Sequence, residues 1–208
     1  MNRYLAPPNL WPDGWTKLRV YYLPRSDEVT ELLDAYRPVL EQFDFIAPVP
    51  GQWLHETLAV LQDRPARAVS AEQRSALETA LRERVGSLPA FSVIAGGALA
   101  SRHGVMLDLT PDRDFAELQR RARAAVADIF GADAARYDGG RPHIPLAYGT
   151  GPGDSALIQG QLRNATDLRA TLTVDDVRLV DVTQDLDLQT VRWRELARIP
   201  LRTGSSRS

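Results

Sequence analysis

Three histidines occur in this chain of 208 residues, and two of them, His55 and His143, stand in similar strand-like stretches, QWLHETLAVL and RPHIPLAYG. Side chains two apart in a strand share a face. Trp53, His55 and Thr57 should therefore point one way, with Leu54, Leu58 and Val60 mostly the other. In the second stretch Arg141, His143 and Pro145 share a face opposite Ile144 and Leu146. A polar front on an apolar back is the pattern of a strand lining a cleft. Two imidazoles facing one cleft suit metal-free cleavage of a phosphodiester. One takes a proton from the attacking water or hydroxyl, and the other gives a proton to the leaving oxygen. Histidine does both near neutral pH without a large perturbation. A hydroxyl such as that of Thr57 could steady the charge on a non-bridging oxygen. Either histidine alone reads equally as a polar residue at a strand end; the pairing is what points to chemistry.

The elements that must position them come as a repeat. Lys17–Leu23 reads as a strand, stopped by Pro24, and Asp27 is placed to cap a helix reaching about Phe43. Val29, Leu32, Leu33, Tyr36, Leu40 and Phe43 form its apolar stripe. The His55 strand follows a turn at Pro50-Gly51. A helix over Ser70–Val85 opens on a capping box, Ser70-x-x-Gln73. Strands at 88–99 and 104–109 follow, with Gly96-Gly97 marking a bulge or a close backbone approach. After Pro111 comes a helix of about 112–130 and then the His143 strand. VYYLPRSDEVTEL and VMLDLTPDRDFAEL thus share strand, proline, acidic cap and Glu-Leu, and each copy leads to a histidine. A helix near 154–164 and two long strands, about 171–183 and 187–199, complete the order.

Composition bounds the setting. With 44% hydrophobic and 25% charged residues, the chain has the make-up of a globular protein. No cysteine is present, which excludes disulfides and thiolate metal sites. The N-terminus has no signal-like apolar run and no segment has membrane-span length, so a cytoplasmic protein without membrane contact is expected. A net charge of −2 argues against tracking a long duplex and for a small nucleotide or an RNA end. Lys17 is the only lysine; the arginine bias reads as a genomic preference or, for a few positions, as selection for bidentate phosphate contacts. There is no Walker-type glycine loop and no carboxylate–histidine cluster with metal spacing. Prolines 7, 8 and 12 make residues 1–16 an extended arm, 17–202 a single bilobal domain and 203–208 a disordered tail.

With His55-Glu56-Thr57 in one half and His143-Ile144-Pro145-Leu146 in the other, residues 17–200 resemble the two-histidine (2H) phosphoesterase superfamily. That group includes the 2′-5′ RNA ligase-like and RNA cyclic phosphodiesterase proteins. The resemblance implies an α+β, bilobal fold: two pseudo-symmetric strand–helix–strand halves with antiparallel sheets around a central cleft. It also implies a metal- and cofactor-free 2′,3′-cyclic phosphodiesterase or RNA-end phosphoesterase, expected to be a monomer. His55 and His143 would be the acid–base pair and Thr57 a phosphate-binding hydroxyl. Pro145 departs from the pattern, since it stands where the family has Thr or Ser and brings neither hydroxyl nor N–H. This motivates the alternative of a nucleotide- or RNA-end-binding protein with weakened catalysis. Arg141 could compensate from the cleft, or lie in solvent beside Gly139-Gly140. Tyr148 could supply a hydroxyl only if its strand bends. Trp53 and Tyr22 could stack a base or pack in core and rim. Glu56 belongs either to a sheet edge or to an arginine partner, and His103 reads as a surface or turn residue.

Overall fold

A computed structural model describes residues 1–203, so most of the expected C-terminal tail lies outside the described residues. The first copy of the repeat is β1 (Thr16–Tyr22), α1 (Ser26–Leu40), a short β2 (Ile46–Pro48) and β3 (Glu56–Val60). α2 (Ala71–Val85) and β4 (Phe91–Ala100) lead to the second copy, β5 (Gly104–Thr110), α3 (Asp112–Phe130) and β6 (His143–Gly149). α4 (Ser155–Ala165), β7 (Ala170–Val174), β8 (Asp176–Asp185) and β9 (Thr190–Pro200) follow. Among the described residues the strands make two antiparallel sheets, β3-β1-β8-β9 and β2-β6-β5-β4-β7. The fold is α+β.

Local chemistry accounts for most boundaries. Ser70 and Gln73 complete the capping box in both directions, at 3.2 and 3.0 Å. α3 starts directly after Pro111 with Asp112 and Asp114 in its first turn, where carboxylates favour the positive end of the helix. Three expectations are corrected. Arg25, not Asp27, occupies the cap position of α1, and Asp27 lies in its first turn. The stretch 171–183 is two strands, because the chain leaves one sheet at Val174 and enters the other at Asp176. The His55 strand begins only at Glu56, since Gly51–Trp53 is a turn of 3-10 helix. The bulge expected at Gly96-Gly97 is present: Gly97, at φ +68°, is the extra residue against β5.

The two repeat units are interleaved. α1 joins β1 to β3 yet packs on β2, β7 and α4 beside the second sheet, while α3 joins β5 to β6 yet packs on β3 and α2 beside the first. Neither unit could close its own core, and one cluster of buried residues runs through both. Phe115 of α3 sits in that seam, fully buried, edge-on to Tyr22 of β1 at 5.6 Å and to Phe91 of β4 at 5.4 Å.

Both histidine strands carry a bulge at the same place. Pairing of β1 with β3 steps from Val20↔Ala59 to Tyr21↔Thr57, leaving Leu58 extra. Pairing of β5 with β6 steps from Val105↔Ala147 to Met106↔Pro145, leaving Leu146 extra. Each extra residue is the third after its histidine, so the repeat holds at the level of backbone irregularity.

Replacing Phe115 by alanine should lower unfolding free energy by about 3–5 kcal/mol, read from urea denaturation, because the cavity opens where both sheets meet.

Candidate active site

His55 stands immediately before β3, with 2% of its surface exposed. Its ring stacks on Tyr21 at 4.2 Å, and Trp193 meets it edge-on at 5.2 Å. His143 opens β6 and keeps 29% of its side chain exposed. Each imidazole uses Nδ1 on the carbonyl two residues back, Trp53 for His55 and Arg141 for His143, both at 2.9 Å. A carbonyl only accepts, so Nδ1–H donates and the neutral ring carries its lone pair on Nε2. Burial pushes the His55 pKa down to about 3; the Trp53 carbonyl opposes the shift and the nearby Arg19 charge adds to it. His55 is therefore a neutral imidazole at physiological pH.

Glu56 does lie at a sheet edge, as the first residue of the outer strand β3, and its partners are an amide side chain and a backbone N–H rather than an arginine. It is 1% exposed and spans the seam between the sheets: Gln119 Nε2 of α3 donates to Oε1, and the His143 backbone N–H donates to Oε2, both at 3.0 Å. β2 pairs only with the far end of β6, at Ala147–Gly149, so the His143 N–H takes its acceptor from Glu56. Burial raises the Glu56 pKa to about 8, opposed by these hydrogen bonds.

His55, Thr57, His143, Pro145 and Tyr148 all line one cavity of about 390 Å³. Tyr148 enters through the bulge: with Leu146 extra, Tyr148 pairs with Gly104 while Pro145 pairs with Met106, restoring a shared face. Its ring stacks on Tyr4 at 4.4 Å. The other expected contacts lie elsewhere. Tyr22 is buried in the core, its hydroxyl donating to the Thr173 carbonyl at 3.3 Å, because residues 18, 20 and 22 form the apolar side of β1. Trp53 precedes the strand and packs edge-on against Trp193 at 4.8 Å, beside Arg192 and Arg194 rather than in the histidine cavity. Arg141 is 69% exposed and drawn to Asp112 and Asp108, at 3.2 and 3.7 Å.

Several wall residues escaped sequence reasoning. Lys17 and Arg19 project from β1 into the cavity, and their alternation with Leu18 and Val20 was the available signal. His103 lines the cavity despite its place in a turn. Tyr137 comes from the loop before β6. The N-terminal arm supplies Tyr4 and Trp11, and it is tied to both sheets: Tyr4 N–H donates to the Gly149 carbonyl at 2.8 Å and Trp11 N–H to Gln184 Oε1 at 2.9 Å. No local pattern in a proline-rich arm announces such a role.

The Glu56 carboxyl leaves a signature in stability. In the folded chain it holds its proton up to about pH 8, against 4.5 for the ordinary group. The folded state thus binds more protons in that window, and the stability from this group is present in acid and lost as pH rises through it. Urea denaturation of the wild type should show that decline between about pH 4.5 and 8, and Glu56→Gln should flatten it.

Comparison with known proteins agrees with this architecture. The family model of the 2′-5′ RNA ligase superfamily matches residues 6–186. Among solved structures, TT0787 of Thermus thermophilus superposes with a TM-score of 0.68 at 20% identity, covering 91% of this chain and 100% of its own. E. coli LigT complexed with NADP+ gives 0.64 at 20% identity, over 90% of this chain and 98% of its own. LigT complexed with 3′-AMP gives 0.65 at 19%, with the same coverage. No curated protein matches the sequence. Two interleaved strand–helix–strand units with a histidine on each facing strand, together with this match, place the chain in the 2′-5′ RNA ligase superfamily.

Proposed function

We propose that this protein is a metal-independent phosphodiesterase that opens 2′,3′-cyclic or related small-nucleotide phosphoesters, including RNA ends, in the cytoplasm. The observation that carries the reading is the matched pinning of two imidazoles, each held by Nδ1 on its own i−2 carbonyl, in a cavity that also holds Thr57. His55, kept neutral by burial, acts as the general base. Its Nε2 takes a proton from water as the water oxygen attacks phosphorus. The bond from phosphorus to one ribose oxygen breaks, and His143, the more exposed ring, donates a proton to that oxygen. The proton gained by His55 returns to His143 through solvent, so the net change is addition of one water. Thr57 donates its hydroxyl hydrogen to a non-bridging oxygen. LigT, a fold relative, has been crystallised with 3′-AMP and with ATP, which supports a nucleotide as occupant. The net charge of −2 fits such a ligand better than a long duplex.

Pro145 favours a second reading. It lines the cavity where a hydroxyl would serve and offers no donor, which fits a protein that binds nucleotides with slow turnover.

A panel of 2′,3′-cyclic nucleotides assayed in EDTA separates the two. Under the first reading turnover proceeds without metal, and His55→Ala or His143→Ala each lowers kcat/KM by about a hundredfold or more. Nucleotide binding without turnover, unchanged in the double variant, would instead establish the second.

The base assignment has its own test. A base must be unprotonated, so activity falls as pH drops through its pKa. The acid limb of kcat/KM should lie well below the ordinary imidazole value of 6.5, toward about 3. An acid limb near 6.5 would move the base role away from His55.

A further inference from the structure

Arg19 is a cation of the cavity wall that the acid–base scheme leaves without work. It projects from β1 on the same face as Tyr21, and its Nη1 donates to the Tyr21 hydroxyl at 3.1 Å. Its Nε is sealed from solvent and has no hydrogen-bond partner. Among the described residues no carboxylate forms an ion pair with Arg19, whereas Arg141 is drawn to two. Trp11 of the arm lies over the guanidinium at 5.0 Å, and the arm is bonded to both sheets. Burial and the neighbouring Lys17 disfavour the charge of Arg19, and the groups that favour it are phenols, Tyr21, Tyr4 and Tyr137, rather than carboxylates. That charge also reaches His55, which lines the same cavity.

A guanidinium bordered by phenols and without a carboxylate partner among the described residues lacks its counter-ion. A guanidinium has five N–H donors in a planar fork, and Tyr21 uses only one of them. The fork matches two oxygens of a phosphate. Pro145, which lines the same cavity from the other sheet, brings no hydroxyl to share that duty. We propose that Arg19, steadied by Trp11 and Tyr21, is the phosphate anchor of this cleft, binding the non-bridging oxygens of a cyclic phosphodiester or phosphomonoester in place of the hydroxyl missing at Pro145. This rests on the phosphoesterase reading above, and Arg19 is a binding residue rather than a proton carrier.

Calorimetry with adenosine 3′-monophosphate and with inorganic phosphate tests it on the full chain: wild type, Arg19→Gln, Arg19→Lys and Arg141→Gln. Loss of a charge-assisted, bidentate contact should weaken adenosine 3′-monophosphate binding by about thirtyfold in Arg19→Gln. Arg19→Lys keeps the charge without the fork and should fall between wild type and Arg19→Gln, and Arg141→Gln should bind as wild type does. Inorganic phosphate should raise the unfolding temperature of the wild type but not of Arg19→Gln, a response that a purely structural arginine would not control. Equal affinity of wild type and Arg19→Gln overturns the anchor while leaving the phosphoesterase reading standing. No binding of either probe by the wild type overturns both. If Arg19→Gln does not fold, Arg19→Lys decides, and unchanged affinity there overturns the proposal.

Discussion

The arrangement of this molecule turns on one buried carboxyl. Glu56 belongs to β3 of the first sheet, yet its oxygens accept from Gln119 of α3 and from the backbone of His143 at the start of β6. β3 and β6 are not paired strands, and a side chain does between them what a ladder does within a sheet. The residue that joins the sheets is flanked by His55 and bonded to the main chain of His143, so the relative position of the two imidazoles is set by the contact that closes the seam. Burying the group raises its pKa and costs free energy, which its hydrogen bonds in part offset. The cost is borne at the point where geometry matters most to the site.

Around that contact the repeat imposes a second constraint. Each histidine strand has an extra residue three positions after its histidine, and each histidine gives Nδ1 to the carbonyl two residues before it. A bulge increases local twist and re-aims the side chains that follow. The paired bulges bring Thr57 opposite Tyr21 and Tyr148 onto the face of Pro145 and His143. The environments then diverge. His55 is enclosed by Tyr21 and Trp193, while His143 keeps contact with solvent. Similar backbones with different burial thus give two imidazoles in unlike environments.

The N-terminal arm alters the character of the cavity. Without it the wall would be two strands from each sheet and the loops that carry His103 and Tyr137. With it, Tyr4 and Trp11 add aromatic surface, one stacked on Tyr148 and the other over Arg19 and Lys17. A cleft with few carboxylates, several phenols and two cations suits a compact anion, whatever the overall charge of the chain.

The repeat of strand, proline, acidic turn, helix and histidine strand was legible in residues 17–149, because period and capping chemistry are local. Those signals placed His55, Thr57 and His143, and the alternation in β1 already held Arg19 opposite the core. What the sequence by itself determined was therefore the order of elements and the pair of histidines. Tertiary structure decided the rest. Parity predicts a face only for an unbroken ladder, and the extra residues Leu58 and Leu146 are defined by the partner strand, so the place of Tyr148 depended on pairing. Tyr21 and Tyr22 are chemically alike, and the sheet assigned one to the imidazole and the other to the core. Arg141 went to the acidic pair Asp108 and Asp112, and Glu56 to the seam, through partners at least 29 positions away in the chain. Contacts of that range leave no local pattern, because the chain's own periodicity carries information only about neighbours.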